Sequence, residues 1–190
     1  RNVLNELGFE TPASALQTTD KRLIARLRLA TDEQLGSHTP RPRAPSDSLL
    51  SVQIHESAMN NLVRQLDLDG RQFSVPELHK WIALKLHMIP PVSPDASRDE
   101  VYVTFADADA VRVRCQHDRI EVTLALADVE NPGHHWRNFE VTVFYRPQSD
   151  GLSAQLVRDG TIQLSGYGLG AAGQVGLRGV FSRMFSREKP

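Results

Sequence analysis

Apolar and polar residues alternate along the chain from Val101 to Ser165, and this alternation is its clearest pattern. A period of two predicts β-strands that bury one face and expose the other. Turn-forming residues divide the region, so we predict five or six antiparallel strands joined by hairpins. The dipeptide Asp159-Gly160 is one predicted hairpin turn. Further connections are predicted at residues 117–118 and 147–151 and, as a longer loop, at 128–135.

Other segments have the helical period instead. Apolar residues recur at helical spacing over residues 50–66, 74–88 and 175–186, which predicts three helices. The second has the clearest beginning, because Ser74 and Glu77 form a capping box with Pro76 in the first turn. Prolines at positions 90, 91 and 94 end this helix firmly.

The first 45 residues have a separate organisation. We predict a helix from Thr19 or Asp20 to about Leu35, followed by Gly36 as a stop signal. Three prolines between residues 38 and 46 exclude a regular helix or a central strand there. Residues 1–45 are therefore predicted to be a helical N-terminal extension with a proline-rich linker, and residues 46–190 a single domain. The alternative for the proline-rich segment is a polyproline-type ligand that docks in a groove.

The predicted fold class is α+β, with a one-sided, twisted antiparallel sheet of five to six strands covered by amphipathic helices. Burying one apolar side chain contributes roughly 1.5–3 kcal/mol, so a sheet with one apolar face needs a cover. Helices 50–66 and 74–88 are the natural cover because they are amphipathic and adjacent in sequence. Cys115 alternates in phase with Val111 and Val113, so we expect it to point inward as a small hydrophobic residue.

Composition limits the classes of function. The chain has 190 residues, with 22 basic and 23 acidic side chains and a net charge of −1. This balance argues against a general nucleic-acid-binding protein, which normally presents a basic surface. We predict no transmembrane segment, because no apolar run approaches the ~18 residues that a membrane span requires. The sequence begins at Arg1 without a signal-peptide pattern, and we expect it to be part of a longer protein.

No catalytic, metal-binding or nucleotide-binding signature stands out, so we predict a protein that is not an enzyme and has no cofactor. The glycines of residues 166–170 follow an antiparallel hairpin rather than opening a βαβ unit, which indicates a connector or hinge. Cys115 and His117 lack the third, orienting group that a nucleophile requires. The remaining candidates for zinc ligands have no characteristic spacing, and they are His55, His79, His87, His134 and His135.

The predicted C-terminal helix carries an apolar stripe formed by Val180, Phe181, Met184 and Phe185, with basic residues interleaved. Such a stripe can lie on a membrane surface or in the groove of a partner. The alternative is that it packs on the sheet as a lid. These four residues are the candidate surface for binding a ligand or a partner that the sequence offers.

Two stretches resemble a known family. Residues 45–61, with the sequence PSDSLLSVQIHESAMNN, and the block from Val101 to Ser165 resemble an uncharacterised bacterial protein family of unknown function. The resemblance implies an exported protein of the periplasm or cell envelope, and it brings no activity and no site residue. In architecture alone, a helix followed by one-sided curved strands also resembles the tubular lipid-binding folds.

These observations leave two main hypotheses. The first is a non-enzymatic envelope module that binds an apolar ligand or lipid between the sheet and the helices. The alternative is a protein–protein interaction or assembly domain that uses the proline-rich segment, the terminal helix or an open sheet edge. An enzyme is a third hypothesis, which a cluster of His55, His79 or His134 with carboxylates in a cleft would support.

Overall fold

The computed structural model of the chain describes residues 16–19, 22–26, 51–86, 101–150, 153–166, 169–185 and 188–189. The chain divides into two compact units, Arg1–Gln65 and Leu66–Pro190. The domain boundary predicted near residue 45 lies outside the described residues and stays a prediction. None of the described helices is both long enough and apolar enough to cross a lipid bilayer.

The first unit contains a small β-hairpin. Strands β1 (Leu16–Thr19) and β2 (Arg22–Ala25) pair antiparallel, with Thr19 opposite Arg22. The helix predicted from residue 19 or 20 to residue 35 is therefore wrong at its N-terminal end, and residues 27–35 lie outside the described ranges. The physical reason is that the threonine and apolar side chains of Leu16–Thr19 and Arg22–Ala25 also suit paired strands, where local propensity yields to cross-strand packing.

Helix α1 (Glu56–Arg64) completes the described part of the first unit. The His55 side chain caps it, because the ring Nδ1 accepts a hydrogen bond from the Ser57 backbone N–H at 3.2 Å. The predicted helix of residues 50–66 is thus shorter than expected at its N-terminal end. Val52 and Ile54 lie in the preceding segment and are exposed.

The second unit is built on a seven-stranded antiparallel sheet, which confirms the α+β fold class. Its strand order is β3-β4-β6-β7-β8-β9, and β5 pairs with β6 beside β4. The strands are β3 (Gln72–Ser74), β4 (Tyr102–Phe105), β5 (Val111–Gln116), β6 (Arg119–Asn131), β7 (His134–Asp150), β8 (Ser153–Gly166) and β9 (Glu188–Lys189).

Strands β6, β7 and β8 are longer than the sequence indicates. The loop predicted over residues 128–135 is mostly strand, because β6 continues to Asn131 and β7 begins at His134. The hairpin turn predicted at Asp159-Gly160 is wrong, since β8 runs through both residues. Gly160 has a φ of +75°, next to the point where the pairing of β7 with β8 shifts register. A glycine in this conformation also suits a β-bulge, which explains the misassignment.

Helix α2 (Val75–Lys85) begins as the sequence predicts. Both hydrogen bonds of the capping box are present: the Ser74 hydroxyl accepts from the Glu77 N–H, and the Glu77 carboxylate accepts from the Ser74 N–H at 2.9 Å. Leu78 and Ala83 are buried, and Trp81 donates its indole N–H to the Leu66 carbonyl at 2.7 Å. The capping box therefore starts a helix that packs against the sheet, as predicted.

Helix α3 (Ala171–Met184) lies over β7 and β8, on the face of the sheet against which α2 also packs. It begins four residues before the predicted start at residue 175. The Phe139 and Phe181 rings meet edge to face with centroids 6.3 Å apart. On the other half of the helix, the Trp136 indole lies against Gly173 and Gly176. The face covered by α2 and α3 is called the inner face below, and the opposite face the outer face.

The loop between β4 and β5 is held by the turn before β3. The Asp69 carboxylate accepts a hydrogen bond from the Ala110 N–H at 2.9 Å. The Gly70 N–H donates to the Ala106 carbonyl at 2.9 Å. These bonds hold the two ends of the loop of residues 106–110, and its first two residues, Ala106 and Asp107, line one end of the groove described next.

Candidate functional site

A groove of about 470 Å³ crosses the outer face of the sheet. Ala125 and Glu140 alternate along their strands with buried residues of the inner face, so they project from the outer face. The groove runs from the β4–β5 loop across β6 and β7 to the end of β8. Its lining residues are Ala106, Asp107, Ala125, Leu126, Ala127, Asn138, Phe139, Glu140, Ser165 and Gly166.

Coincident irregularities in neighbouring strands form the groove. The register between β4 and β6 shifts between Thr104 and Phe105, which leaves Ala127 as an extra residue on β6. Asn138 on β7 has a φ of +51°. A left-handed conformation is uncommon for a residue with a side chain, and asparagine tolerates it better than most. Such bulges bend strands and occur next to functional sites.

The end of β8 approaches β7 too closely for a side chain at Gly166. A Cβ atom placed there would lie 2.5 Å from the Phe139 Cβ and 3.0 Å from the Asn138 carbonyl oxygen. Real atoms do not approach so closely, so the contact requires glycine. Gly166 therefore lets β8 reach the irregular point of β7 and close one end of the groove.

The groove has a small, apolar floor and an acidic rim. Three alanines contribute to it, and its polar side chains are Asp107, Asn138, Glu140 and Ser165. No lysine, arginine or histidine is among its lining residues. Glu140 accepts a hydrogen bond from the Arg112 guanidinium at 2.5 Å, and both side chains are more than two-fifths exposed. An exposed pair of this kind contributes at most about 1 kcal/mol, so Glu140 can exchange partners.

A second pair of interacting side chains lies directly beyond the groove. Asp128 follows Ala127 on β6, and its Oδ1 lies 2.5 Å from Nε2 of His135. The Arg137 guanidinium, on the residue before Asn138, approaches the same carboxylate to 4.0 Å. Together these residues continue the polar outer face past the bend in the sheet.

The candidate surface on the C-terminal helix lies in the core. Val180, Phe181 and Met184 are buried, and Phe185 packs half-buried against the same cluster. These side chains therefore pack on the inner face of the sheet, as the alternative interpretation of the stripe as a lid expects. Their assignment to a ligand or partner stays a prediction, and the described structure leaves no open stripe of these four residues.

The candidate zinc ligands are dispersed. His55 caps α1, His79 lies on α2, and the His134 ring stacks on Trp136 with centroids 5.4 Å apart. His135 pairs with Asp128, and His87 lies outside the described residues. Within the described ranges, no group of three or more histidine, cysteine or acidic side chains is placed to hold a metal ion.

The prediction of an inward Cys115 is wrong, because the residue is exposed. Cys115 is the next-to-last residue of β5, which is an edge strand. Its side chain alternates in phase with the inner face, but no helix among the described residues covers that end of the strand, so it is exposed to solvent. His117 does not continue the strand, since it lies in the turn with a φ of +23°. Of the glycine segment, Gly166 ends β8 and Gly170 caps α3, while residues 167–168 lie outside the described ranges.

No sequence pattern indicated the groove. Its residues come from distant parts of the chain. An alanine within a predicted strand gives no indication that it lines a groove. Asn138, in a run of alternating residues, was the one weak signal of an irregular backbone.

The comparisons with known proteins add no assignment. No family model matches the chain, and neither a curated protein nor a solved structure is significantly similar to it.

Proposed function

We propose that this chain is a non-enzymatic binding module and that the outer-face groove takes a basic side chain of a protein partner. The single observation behind this proposal is the groove itself, a concavity lined by two carboxylates and no basic group. Its volume of about 470 Å³ lies within the range of about 300–1,000 Å³ typical of ligand sites.

The lining favours an arginine or lysine side chain on chemical grounds. The methylene stem of an arginine or lysine side chain is apolar, and the alanines that line the groove can accommodate it. The carboxylates of Asp107 and Glu140 would receive the charged end, with Asn138 and Ser165 as neutral acceptors. Arg112, which now holds Glu140, would be displaced or would share the carboxylate with the incoming group.

The proposal departs from the lipid hypothesis of the sequence. That hypothesis relied on the one-sided sheet, the amphipathic helices and a glycine-hinged terminal helix that could close over a pocket between helices and sheet. Leu177 and Phe181 on α3 are fully buried against the sheet, so the inner face is occupied by the protein's own side chains. On the outer face, the groove residues Ala125 and Glu140 are partly exposed, which supports placing the partner there.

The experiment compares two glutamates on the outer face. Glu140→Gln removes a groove carboxylate without changing its size, and Glu121→Gln makes the same change outside the groove. The probes are blocked tripeptides Ala-Arg-Ala and Ala-Lys-Ala, with Ala-Gln-Ala as the neutral probe, titrated at low salt by calorimetry.

The proposal expects the basic tripeptides to bind the unaltered protein and the Glu121→Gln variant alike. Glu140→Gln should weaken binding by about 10-fold, corresponding to one lost charge-assisted contact. Added salt should weaken binding because both charges are exposed. Equal affinity for all three tripeptides, or no difference between the two variants, would contradict the proposal.

A further inference from the structure

The outer edge of β8 is largely unpaired. In the described residues, the strand bonded to this edge is β9, and it covers β8 only at Leu156 and Val157. The part of this edge formed by residues 161–166 has no strand partner within the described part of the chain. An exposed row of backbone N–H and C=O groups is a template for pairing with another chain.

After the bulge at residues 160–162, this part of β8 lacks two usual protections of an edge strand, charged side chains and proline. Residues 161–166 have the sequence TIQLSG, with no charge and no proline. Ile162 is buried in the core, and Thr161 and Gln163 are exposed. Arg158 and Asp159 are the nearest charged residues before it on the strand. By contrast, the edge strand β5 carries Arg112 and Arg114, which discourage pairing with an identical strand.

We propose that a second copy of this chain pairs with this edge, so that two β8 strands lie antiparallel across a two-fold axis. A two-fold axis places identical residues near one another, so a charged edge would bring like charges together. Residues 161–166 carry no charge and avoid this repulsion, whereas β5 would bring its arginines together. The joined strands would extend one seven-stranded sheet into another through backbone hydrogen bonds.

The position of α3 supports the same partner. A two-fold axis perpendicular to the sheet keeps both inner faces on one side, so each α3 lies on the same side of the joined sheet. The exposed side of α3 carries Ala172, Val175 and Gly179 together with Arg178, and Val175 is 71% exposed. A second copy paired along β8 would bring its own α3 to this side of the joined sheet, where burial of Val175 would add to the backbone hydrogen bonds.

The test introduces charge at the edge. Gln163→Lys places like charges near the two-fold axis, and Gln163→Glu does the same with the opposite sign. Gln72→Lys is the matched control, because Gln72 is also exposed but lies on β3, at the opposite end of the sheet. Sedimentation velocity over a concentration series measures the association, and circular dichroism checks that each variant is folded.

The proposal expects a reversible dimer for the unaltered chain and for Gln72→Lys. Each Gln163 variant alone should dissociate on the order of tenfold more readily. An equimolar mixture of Gln163→Lys and Gln163→Glu should restore the dimer, because opposite charges then face one another. This rescue also shows that the variants retain the fold.

Three results would overturn the proposal: a monomer at every concentration, a dimer insensitive to both Gln163 variants, or a dimer disrupted by Gln72→Lys instead. A monomer that captures an extended peptide at β8 would likewise show that the edge serves a different partner. Ser165 and Gly166 belong to both the groove and this edge. Sedimentation reports the dimer and calorimetry reports peptide binding, so the two proposals fail separately.

Discussion

Gly166 and Asn138 shape the groove at the level of single residues. Gly166 brings the end of β8 against Phe139, and Asn138 turns the backbone of β7 into a left-handed conformation. Both features are costly to replace, because a new side chain would collide with backbone or would force a disfavoured φ. The groove is therefore a consequence of specific backbone positions rather than of side-chain size alone.

We expect Gly166→Ala to destabilise the protein by about 1–3 kcal/mol, because its Cβ would lie 2.5 Å from the Phe139 Cβ. The measurement is urea unfolding followed by circular dichroism. Ser165→Ala is the control, since Ser165 is exposed and adjacent, and its change should stay within about 0.5 kcal/mol. Equal stability of the two variants would show that β8 does not approach β7 as described.

Tyr145 gives a second prediction at this scale. Its ring is buried, and within the described structure its hydroxyl has no hydrogen-bond partner. Burial raises its pKa, while the nearby Arg158 opposes the increase. Because the folded state resists ionisation, stability should fall as pH rises above the ordinary tyrosine pKa of about 10.

Tyr145→Phe removes the unpartnered hydroxyl and should leave stability unchanged or raise it by up to about 1 kcal/mol. The loss of stability above about pH 10 should be smaller in this variant. Thermal unfolding at neutral and alkaline pH measures both effects. A loss of more than about 1 kcal/mol at neutral pH would mean that the hydroxyl makes a stabilising hydrogen bond.

At the scale of elements, the start of α2 combines a capping box with a titratable group. Hydrogen bonds from the Ser74 backbone and hydroxyl lower the pKa of Glu77. A lowered pKa stabilises the fold at pH values above the ordinary glutamate pKa of about 4.3, and the stabilisation is lost as pH falls through the folded-state value.

We expect Ser74→Ala to cost about 0.5–2 kcal/mol at neutral pH, the usual cost of losing a helix N-cap. The Glu77→Gln variant should lose less stability than the unaltered protein when pH falls below about 4. Chemical unfolding between neutral and acidic pH tests both statements. Parallel pH profiles for Glu77→Gln and the unaltered chain would show that Glu77 does not contribute.

Helix α3 offers two glycines with opposite expected effects. Alanine normally stabilises a helix interior relative to glycine by about 0.5–1 kcal/mol, and Gly179→Ala should do so because no atom lies within 4 Å of the added Cβ. At Gly173 the added Cβ would lie 2.9 Å from Nε1 of Trp136. Gly173→Ala should therefore lower the melting temperature and alter tryptophan fluorescence. The same sign for both variants would contradict the packing of Trp136 against α3.

At the scale of the whole molecule, the sequence predicted the fold class because strand alternation and capping signals are local. The Ser74–Glu77 capping box located a helix start correctly, and the region from Val101 to Ser165 is a sheet as predicted. Asp159-Gly160 was misassigned because the same dipeptide suits a turn or a bulge. Only the paired neighbour decides between them, and that neighbour is distant in sequence.

The groove could not be predicted for the same reason. It exists because an extra residue on β6, a left-handed residue on β7 and a glycine on β8 lie side by side after pairing. None of the three is informative alone, and only the strand register brings them together. The burial predicted for Cys115 is wrong for a similar reason. Alternation indicates which face of the sheet a side chain belongs to, but it does not indicate whether a helix covers that part of the strand.

The central claim is that the outer-face groove receives a basic side chain, and the most direct measurement is nitrogen-15 NMR during titration with Ala-Arg-Ala. We expect saturating shifts confined to the amides of the groove, at Ala106, Ala125, Ala127, Glu140 and Gly166. Ala-Gln-Ala should cause none. Shifts absent from these amides, or centred on another surface of the sheet, would contradict the account.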